Sequence, residues 1–393
     1  MRLCDCGGIT VLSLFDGISC ARVALDRAGV KVGRYFASEI DKYAIQVAHK
    51  NYPDTIHVGD VQKLHCEESF LVAEECGVQH SGEVDLVIGG SPCQDLSIAR
   101  TNREGLQGER SGLFYEFVRV VRELKPKYFI LENVNSMPKE AKIEISRNLF
   151  GIEPVMINAS LVSAQNRKRL FWVGRRVGDE YEWVMVGQPD DRGIVLNDIL
   201  QAPGEVDSRM TVGGKAYVLT ATYGGAIAWN SIAKKQRTMV RVGNIDGNNS
   251  QGYRIYSTEG KSVTLSGNGG GKGSKTEVYA VALRNRGSGK NPEFGGEKAN
   301  ALTTVQTDSM VAFDDTVYRK LTPIECERLQ GLPDNYTDGI SNTQRYKVLG
   351  NAFNVDVVAH ILEHIRFDDC LCDHSCVGEN GSGRLAGVVG GLE

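Results

Sequence analysis

The first half of the chain alternates short, continuous apolar runs with longer segments in which apolar residues recur at helical spacing. Continuous runs indicate buried strands, and the helical repeat indicates helices that cover a sheet. The predicted strands are 9–15, 34–38, 84–88, 127–131, 154–157 and 170–173, and the predicted helices are 20–28, 43–51, 113–124 and 139–150. Regular alternation of strand and helix predicts an α/β fold with a doubly wound, mostly parallel sheet.

The pattern changes near residue 190. Gly, Ser, Asn and Thr become frequent, helical periodicity disappears, and short β-like runs alternate with turns. Three similar segments, 216–220, 262–266 and 299–303, are each followed by a second run at 239–240, 280–281 or 310–311. We interpret them as three related strand pairs of a small β-rich domain, although ordinary β composition would also produce such a pattern.

The α/β pattern returns at residue 318. Thr322, Pro323 and Glu325 have the spacing of a capped helix start, and a last helix is predicted over 355–365. The predicted organisation is therefore a first catalytic and cofactor-binding part at 1–189, an insert at 190–317, a return segment at 318–367 and a Cys- then Gly-rich tail at 368–393.

Charge is distributed unevenly. The chain carries a net charge of −4, yet the stretch from Arg209 to Lys298 holds 14 lysines and arginines against five acidic residues. A basic insert on an acidic body suits a phosphate backbone, and a solvated surface is the simpler alternative.

Composition excludes several classes of protein. No apolar run approaches the ~18 residues of a membrane span, and the first ten residues lack the features of a signal peptide, so we expect a cytoplasmic protein without a membrane partner. The ten cysteines lack framework spacing, which favours reduced thiols. A structural zinc between Cys4–Cys6 and Cys370–Cys376 remains a minor alternative, and we expect no metal.

The strongest candidate for chemistry is the loop that follows the strand 84–88. Gly89 and Gly90 allow close backbone approach, Pro92 fixes the chain, and the thiol of Cys93 is thereby presented in one pose. Cys93 is the candidate nucleophile, although a lone cysteine is more often a small buried hydrophobe.

Other candidate residues lie where predicted strands end. Glu39 lies 22 residues after Gly17, a spacing often found for an acid that binds the ribose of an adenosine cofactor. Asp60 could accept from an adenine amine or merely cap the next helix. Glu132 could act as an acid or a base. Arg167 and Arg169 should point to one face of their strand, where they could clamp an anionic or carbonyl-bearing substrate.

Taken together, these segments resemble the cytosine-C5 DNA methyltransferases, and the loop around Cys93 is most similar to the animal de novo branch. The matching motifs occur in the family's order: Phe15-Asp16-Gly17, Glu39, Asp60, Pro92-Cys93-Gln94, Glu132-Asn133-Val134, Gln165-x-Arg167-x-Arg169 and Gly350-Asn351. One departure is that Ser19 stands where the family pattern has a second glycine.

The resemblance implies a Rossmann-like fold that binds S-adenosylmethionine, with the insert as target-recognition domain. It implies that Cys93 attacks C6 of a cytosine flipped out of double-stranded DNA, and that Glu132, held protonated or sharing a proton, hydrogen-bonds the ring N3 and the exocyclic amine. It also implies that Arg169, with Arg167 beside it, binds the carbonyl-oxygen side of the ring and favours the thiolate. The cofactor-binding residues that the resemblance implies are Phe15, Gly17, Glu39, Ile40, Asp60, Val61, Gly90, Pro92, Leu113 and Asn351.

Further expectations follow from the resemblance: a monomeric enzyme of phage or restriction-modification type. Two alternatives remain open. A catalytically idle DNA-binding relative should lack Cys93 or Glu132, and both are present. An RNA cytosine methyltransferase is the nearer rival, but a large basic insert favours double-stranded DNA.

Overall fold

The structure is a computed structural model that describes residues 7–91, 112–201, 205–206, 208–226, 231–232, 234–235, 237–244, 311–313 and 316–367. Several expectations lie outside the described residues: Pro92 and Cys93, the strand pair of 262–266 with 280–281, the segment 299–303, and both terminal cysteine clusters. The four described cysteines are free thiols, and no metal-binding cluster occurs among the described residues.

The first part of the chain forms most of the secondary structure. Its strands are β1 (Ile9–Leu14), β2 (Val32–Ser38), β3 (Ile56–Gly59), β4 (His65–Glu67), β5 (Phe70–Ala73), β6 (Val78–Ser81), β7 (Leu86–Gly90), β8 (Tyr128–Val134), β9 (Val155–Asn158), β10 (Lys168–Val177) and β11 (Glu180–Trp183). Its helices are α1 (Cys20–Arg27), α2 (Lys42–Asn51), α3 (Leu113–Leu124) and α4 (Lys139–Asn148).

A single large sheet organises this part. Its strand order is β11-β10-β8-β7-β1-β2-β3, and β9 pairs with the first half of β10. β1, β2, β3, β7 and β8 run parallel, whereas β10 is antiparallel to β8, β9 and β11. The chain order therefore reverses between β1 and β7, and ligands bind beyond the carboxyl ends of the strands at such a switch point. The predicted α/β class is confirmed.

Helices cover both faces of the sheet. Along β1, Val11 belongs to the hydrophobic cluster that includes α1 and α2, whereas Leu12 and Leu14 belong to the cluster that includes α3 and α4. Successive side chains of a strand point to opposite faces, so continuous apolar runs are what a sheet buried on both sides requires.

One small element was not predicted. Strands β4, β5 and β6 form a three-stranded antiparallel sheet between β3 and β7. No strand is predicted from the sequence over residues 62–83. The polar residues and short runs of this segment conceal the alternation that would identify the strands.

The insert contributes further small sheets. Its described strands are β12 (Glu205–Val206), β13 (Thr211–Val212), β14 (Lys215–Ala216), β15 (Met239–Asn244), β16 (Val311–Phe313) and β17 (Thr316–Lys320). β13 and β14 form a hairpin, and the others form an antiparallel sheet in the order β12-β15-β17-β16. This sheet continues to Lys320, so it crosses the predicted boundary at residue 318.

The return segment closes the molecule with α5 (Pro323–Leu329), α6 (Asn342–Asn351) and α7 (Val355–Glu363). The predicted capping box is present: the Thr322 hydroxyl accepts from Glu325 N at 3.2 Å, and the Glu325 carboxylate accepts from Thr322 N at 2.8 Å. α7 packs against α1, and Arg27 of α1 pairs with Asp356 of α7 at 2.9 Å. No described helix is long and apolar enough to cross a membrane.

Candidate active site

The turn after β1 lies at the switch point of the sheet. Phe15, Gly17 and Ser19 all have left-handed backbone conformations, with φ of 56°, 61° and 60°. Such conformations cost residues other than glycine of order 1–3 kcal/mol each, so surrounding contacts must hold them in place. The intervening Asp16 is buried and supplies two such contacts, because its carboxylate accepts hydrogen bonds of 2.6 Å from the Ser19 and Tyr35 hydroxyls.

Glu39 connects this turn to the end of β2. One carboxylate oxygen accepts from Gly17 N at 2.8 Å, and the other accepts from Ile40 N and Asp41 N at 2.8 Å each. Three backbone donors therefore fix a carboxylate that has about four acceptor sites. Next to it, Ile40 is 73% exposed, which leaves an apolar side chain open to a ligand.

The turn after β3 is built around Asp60. Its side chain accepts from Gln62 N at 3.1 Å and caps the 3₁₀ turn Val61–Lys63, so the capping alternative describes its contact in this structure. Val61 is buried, and Arg119 of α3 donates to its carbonyl at 2.9 Å. Leu113, the first residue of α3, is partly buried against the same hydrophobic cluster.

Gly89 and Gly90 end β7 against neighbouring atoms. A Cβ on Gly89 would lie 2.6 Å from the carbonyl oxygen of Leu14. A Cβ on Gly90 would lie 2.7 Å from the Phe353 ring and 2.9 Å from Oε2 of Glu132. Both glycines are therefore required by close packing, as expected for this loop.

Glu132 and Arg169 form an ion pair across β8 and β10. The Glu132 Oε1 to Arg169 Nε distance is 2.7 Å, and both side chains are largely buried. The register explains the contact, since Glu132 pairs with Phe171 and Arg169 is two residues away on the same face. The prediction that this strand ends at residue 131, before Glu132, is wrong, because β8 continues through Val134.

Arg167 has a different environment from Arg169. Its side chain is buried, and its guanidinium donates to the Leu219 carbonyl at 3.0 Å and to the Ala352 carbonyl at 2.9 Å. It therefore joins the start of β10 to the insert and to the return segment. In this structure the planar guanidinium of Arg167 is directed at these two backbone carbonyls, and its role toward a substrate stays a prediction.

These side chains meet in one cavity beneath the sheet edge. The cavity is lined by Glu132, Ile157, Ala159, Arg167, Arg169, Phe171, Phe353, Asn354 and Val357. Glu132, Arg167, Arg169 and Asn354 supply its polar groups, and the other lining residues are apolar. Phe353 and Asn354 were missed by the sequence analysis, although their place just after Gly350-Asn351 was the available signal.

The end of α6 packs tightly beside this cavity. A Cβ on Gly350 would lie 2.1 Å from the backbone of Thr220 and Ala221, so only glycine allows the helix to approach the insert this closely. The sequence pattern does not predict α6, to which the motif residues Gly350 and Asn351 belong. Both are helical in the structure, and the side chain of Asn351 is exposed.

The described cysteines do not provide an activated thiol. Burial raises the pKa of Cys20 and Cys326 above the ordinary range and that of Cys66 to about 12. A thiol whose pKa is raised in this way is a poor nucleophile at neutral pH. Cys76 is exposed, but it follows β5 in the small sheet of β4, β5 and β6.

The doubly wound sheet, with its switch point after β1 and the buried Glu132–Arg169 pair, defines an α/β protein with a candidate ligand site at that point. The sequence model of the family of C-5 cytosine-specific DNA methylases matches residues 9–366, and the chain belongs to that family. It is a DNA cytosine-C5 methyltransferase, and the family implies methylation that depends on S-adenosylmethionine.

Curated relatives align with this chain over nearly its whole length. The orphan methyltransferase M.SPRI of Bacillus phage SPR is 28% identical over 91% of this chain and 98% of its own length. The type II methyltransferase M.HhaI of Haemophilus parahaemolyticus is 28% identical over 91% of this chain and 94% of its own length.

Solved structures share the fold. The Entamoeba histolytica methyltransferase EhMeth has a TM-score of 0.55 at 15% identity and covers 91% of this chain and 97% of its own. A DNMT2 of Spodoptera frugiperda has a TM-score of 0.51 at 18% identity, with coverage of 91% and 99%.

Proposed function

We propose that the chain methylates C5 of cytosine at a specific sequence of double-stranded DNA, through a base flipped into the cavity and a covalent bond between Cys93 and C6. The observation that carries the proposal is the Glu132–Arg169 ion pair, which lines a cavity whose other residues are apolar except for Arg167 and Asn354. A Cβ on Gly90 would lie 2.7 Å from the Phe353 ring and 2.9 Å from Oε2 of Glu132, and Gly90 precedes Cys93 by three residues.

The switch point fits S-adenosylmethionine. Gly17 has no atom within 4 Å of where its Cβ would lie, and Ile40 is exposed beside Glu39, so an adenosine could approach the turn from the open side. Phe15 would stack on the adenine, Glu39 would accept from the ribose, and Asp60 would accept from the adenine amine. Pro92 and Asn351 would lie near the methionine end. Bound there, S-adenosylmethionine would supply an electrophilic methyl group.

The chemistry of cytosine assigns the remaining roles. C5 is a poor nucleophile until a thiolate adds to C6, because that addition breaks the aromatic ring and moves electron density to C5. Cys93 would form the S–C6 bond, while Glu132, holding or sharing a proton, would donate to N3 and accept from the exocyclic amine. After methylation, loss of the C5 proton would return the electron pair that expels Cys93.

The two arginines would act differently. Arg169 lines the cavity beside Glu132, where its guanidinium could also donate to the carbonyl oxygen on C2 of the cytosine. Arg167 would hold the insert and the return segment around the base through Leu219 and Ala352. Arg167 is therefore a positioning residue, and Arg169 is the arginine that would touch substrate.

The insert would recognise the target sequence. Its excess of basic residues between Arg209 and Lys298 suits two phosphate backbones, and base edges would be read from the same domain. Flipping is needed because a base inside the duplex cannot reach a buried pair such as Glu132–Arg169. A monomer would be sufficient, since one chain contributes every proposed residue.

Incorporation of 5-fluorocytosine tests the mechanism directly. Fluorine at C5 cannot leave as a cation, so the covalent adduct between Cys93 and C6 should persist. The full chain would be incubated with S-adenosylmethionine and phage DNA amplified with the fluorinated nucleotide, and adducts would be resolved on denaturing gels. We expect a DNA adduct that disappears in Cys93→Ser, whose hydroxyl is far less acidic, and remains in Cys76→Ser.

RNA transcribed with 5-fluorocytosine forms the second arm. An adduct on RNA but not on duplex DNA would establish the rival RNA activity and refute the proposed substrate. Retention of near wild-type methyl transfer by Cys93→Ser would refute the covalent mechanism. Duplex binding by Cys93→Ser, measured by mobility shift, should remain because the groove contacts lie in the insert.

A further inference from the structure

The cofactor turn departs from the family pattern at Ser19. A glycine would adopt the left-handed conformation without cost, whereas Ser19 has a Cβ and still lies at φ 60°. Ser19 precedes α1 at the N-cap position, yet its hydroxyl does not cap the helix. It donates instead to Oδ2 of Asp16 at 2.6 Å. The departure from the family pattern at Ser19 is thus accompanied by a specific hydrogen bond from Ser19 to Asp16.

Asp16 also fixes the turn to β2. Its Oδ1 accepts from the Tyr35 hydroxyl at 2.6 Å, and its backbone N donates to the Ser38 carbonyl at 3.1 Å. Asp16, Ser19 and Tyr35 are 5%, 0% and 1% exposed, so these bonds are shielded from water. The following residue, Gly17, donates to Glu39. One buried carboxylate therefore lies directly behind the backbone that would face the cofactor.

We propose that Asp16 is a positioning residue for cofactor binding: its carboxylate, bonded to Ser19 and Tyr35, holds the left-handed turn that presents Gly17 and Glu39 to the adenosine. The proposal rests on the proposed S-adenosylmethionine site. Asp16 would not touch the cofactor, but it would determine how tightly the turn binds the cofactor.

The ionisation of Asp16 gives the role a signature. Burial raises the pKa of Asp16 from 3.8 to about 6, and the hydrogen bonds from Ser19 and Tyr35 oppose that rise. Protonation would make one of the two oxygens a donor and remove the negative charge, so the bonds that the carboxylate accepts from Ser19 and Tyr35 would weaken. The turn should loosen, and cofactor affinity should fall, as the pH drops through about 6.

Among the described residues, few charged or titratable groups face Asp16. Glu39 faces it from the end of β2, and its negative charge contributes to the raised pKa of Asp16. Cys20 and Tyr336 are the other titratable neighbours. The pKa values of Cys20, Tyr35 and Tyr336 are raised by burial, so these groups stay neutral between pH 5 and 8.

Affinity and stability should respond to pH in opposite directions. Because the pKa of Asp16 is raised by folding, the stability that it contributes is complete below its unfolded value of 3.8 and is lost as the pH rises through about 6. Acidification from pH 7 to 5 should therefore increase the contribution of Asp16 to stability while it weakens cofactor binding. A residue with a merely structural role would weaken both together.

The test measures the dissociation constant of S-adenosylhomocysteine by calorimetry, with the full chain, between pH 5 and 8. We expect Asp16→Asn to bind about tenfold more weakly at pH 8, since a hydrogen-bonded charge is lost, and to lack the wild-type decline below pH 6. Its melting temperature at pH 8 should equal or exceed that of the wild type. The control Asp85→Asn removes a carboxylate at the opposite edge, where Asp85 bonds Thr10 N and Lys127, and should bind normally.

A double-mutant cycle with Ser19 keeps the test decisive if one variant folds poorly. Asp16→Ala should weaken binding about tenfold in the wild-type background but less than about threefold in the Ser19→Gly background, because glycine needs no bond to adopt the turn. Equal effects in both backgrounds, or wild-type affinity in Asp16→Asn at pH 8, would overturn the proposal. A wild-type chain that fails to bind S-adenosylhomocysteine would instead refute the proposed cofactor site and the inference together.

Discussion

At the scale of single residues, Glu132 is the group whose replacement should separate chemistry from binding. Glu132→Gln keeps the shape of the side chain but removes the carboxylate that pairs with Arg169. Because general acid–base groups contribute roughly 10²–10⁴ to a rate, we expect kcat to fall by about that factor. Single-turnover methyl transfer to DNA would measure the loss.

The matched control for this prediction is Glu140→Gln. Glu140 is an exposed glutamate in the first turn of α4, and its substitution should leave the rate unchanged. Cofactor affinity and duplex binding should be normal in both variants. A Glu132→Gln enzyme with more than half the wild-type rate would exclude Glu132 from the chemistry.

Residue identities could be predicted from the sequence better than residue contacts. The motif positions of Gly17, Glu39 and Glu132 indicated the edge at which they lie, because parallel strands bring their carboxyl ends together. The partners of Arg167 could not be predicted, since Leu219 and Ala352 are 52 and 185 residues away and lie in irregular backbone. Nothing in a local pattern specifies a bond to a distant carbonyl.

At the scale of elements, the end of α6 depends on one glycine. Gly350→Ala would place a Cβ 2.1 Å from the backbone of Thr220 and Ala221, which cannot move without displacing the insert. Such overpacking typically costs about 1–3 kcal/mol, and we expect a lower free energy of unfolding by that amount in urea titration.

Gly187→Ala is the control for this substitution. The nearest atom to a Cβ on Gly187 is 3.7 Å away, an ordinary contact, so the variant should unfold like the wild type. Equal stability of Gly350→Ala and the wild type would show that α6 and the insert can separate freely. Methylation would then not depend on their close packing.

Elements whose apolar residues recur at a clear period were predicted well, and elements without such a period were missed. The bounds of α3 match their prediction because six of its side chains are buried on one apolar face. By contrast, α6 has a weak apolar pattern, with polar Asn342, Gln344 and Lys347 among its residues. Its stability comes from contacts such as the buried Arg345–Glu327 pair at 2.9 Å, which no periodicity reveals.

At the scale of the whole molecule, target choice should be transferable with the insert. We expect a chimera that carries another family member's segment in place of residues 209–298 to methylate the donor's site, because base-edge contacts specify while phosphate contacts position. Bisulfite sequencing of methylated phage DNA reads the outcome. A graft that preserves Leu219 and Ala221 at the start of the segment should retain more activity, since Arg167 and Gly350 meet the backbone there.

The reverse result would be equally clear. If the chimera methylated the original site, recognition would depend on residues outside the insert. The proposed division between a catalytic part and a recognition insert would then be wrong. An inactive chimera that still formed the 5-fluorocytosine adduct slowly would locate the fault in turnover. The sequence alone indicated this division through its change of composition and charge near residue 190.

The packing of α1 against α7 has a consequence for how the protein is made. Arg27 donates to the carbonyl of Gly331, 304 residues later in the chain, and α7 follows that point. At translation rates of about 5–20 residues per second, the apolar face of α1 emerges from the ribosome roughly 15–60 s before the helix that covers it. During that interval the apolar face of α1 lies uncovered in the growing chain. Synthesis of the protein should therefore depend on chaperones that bind exposed apolar surface.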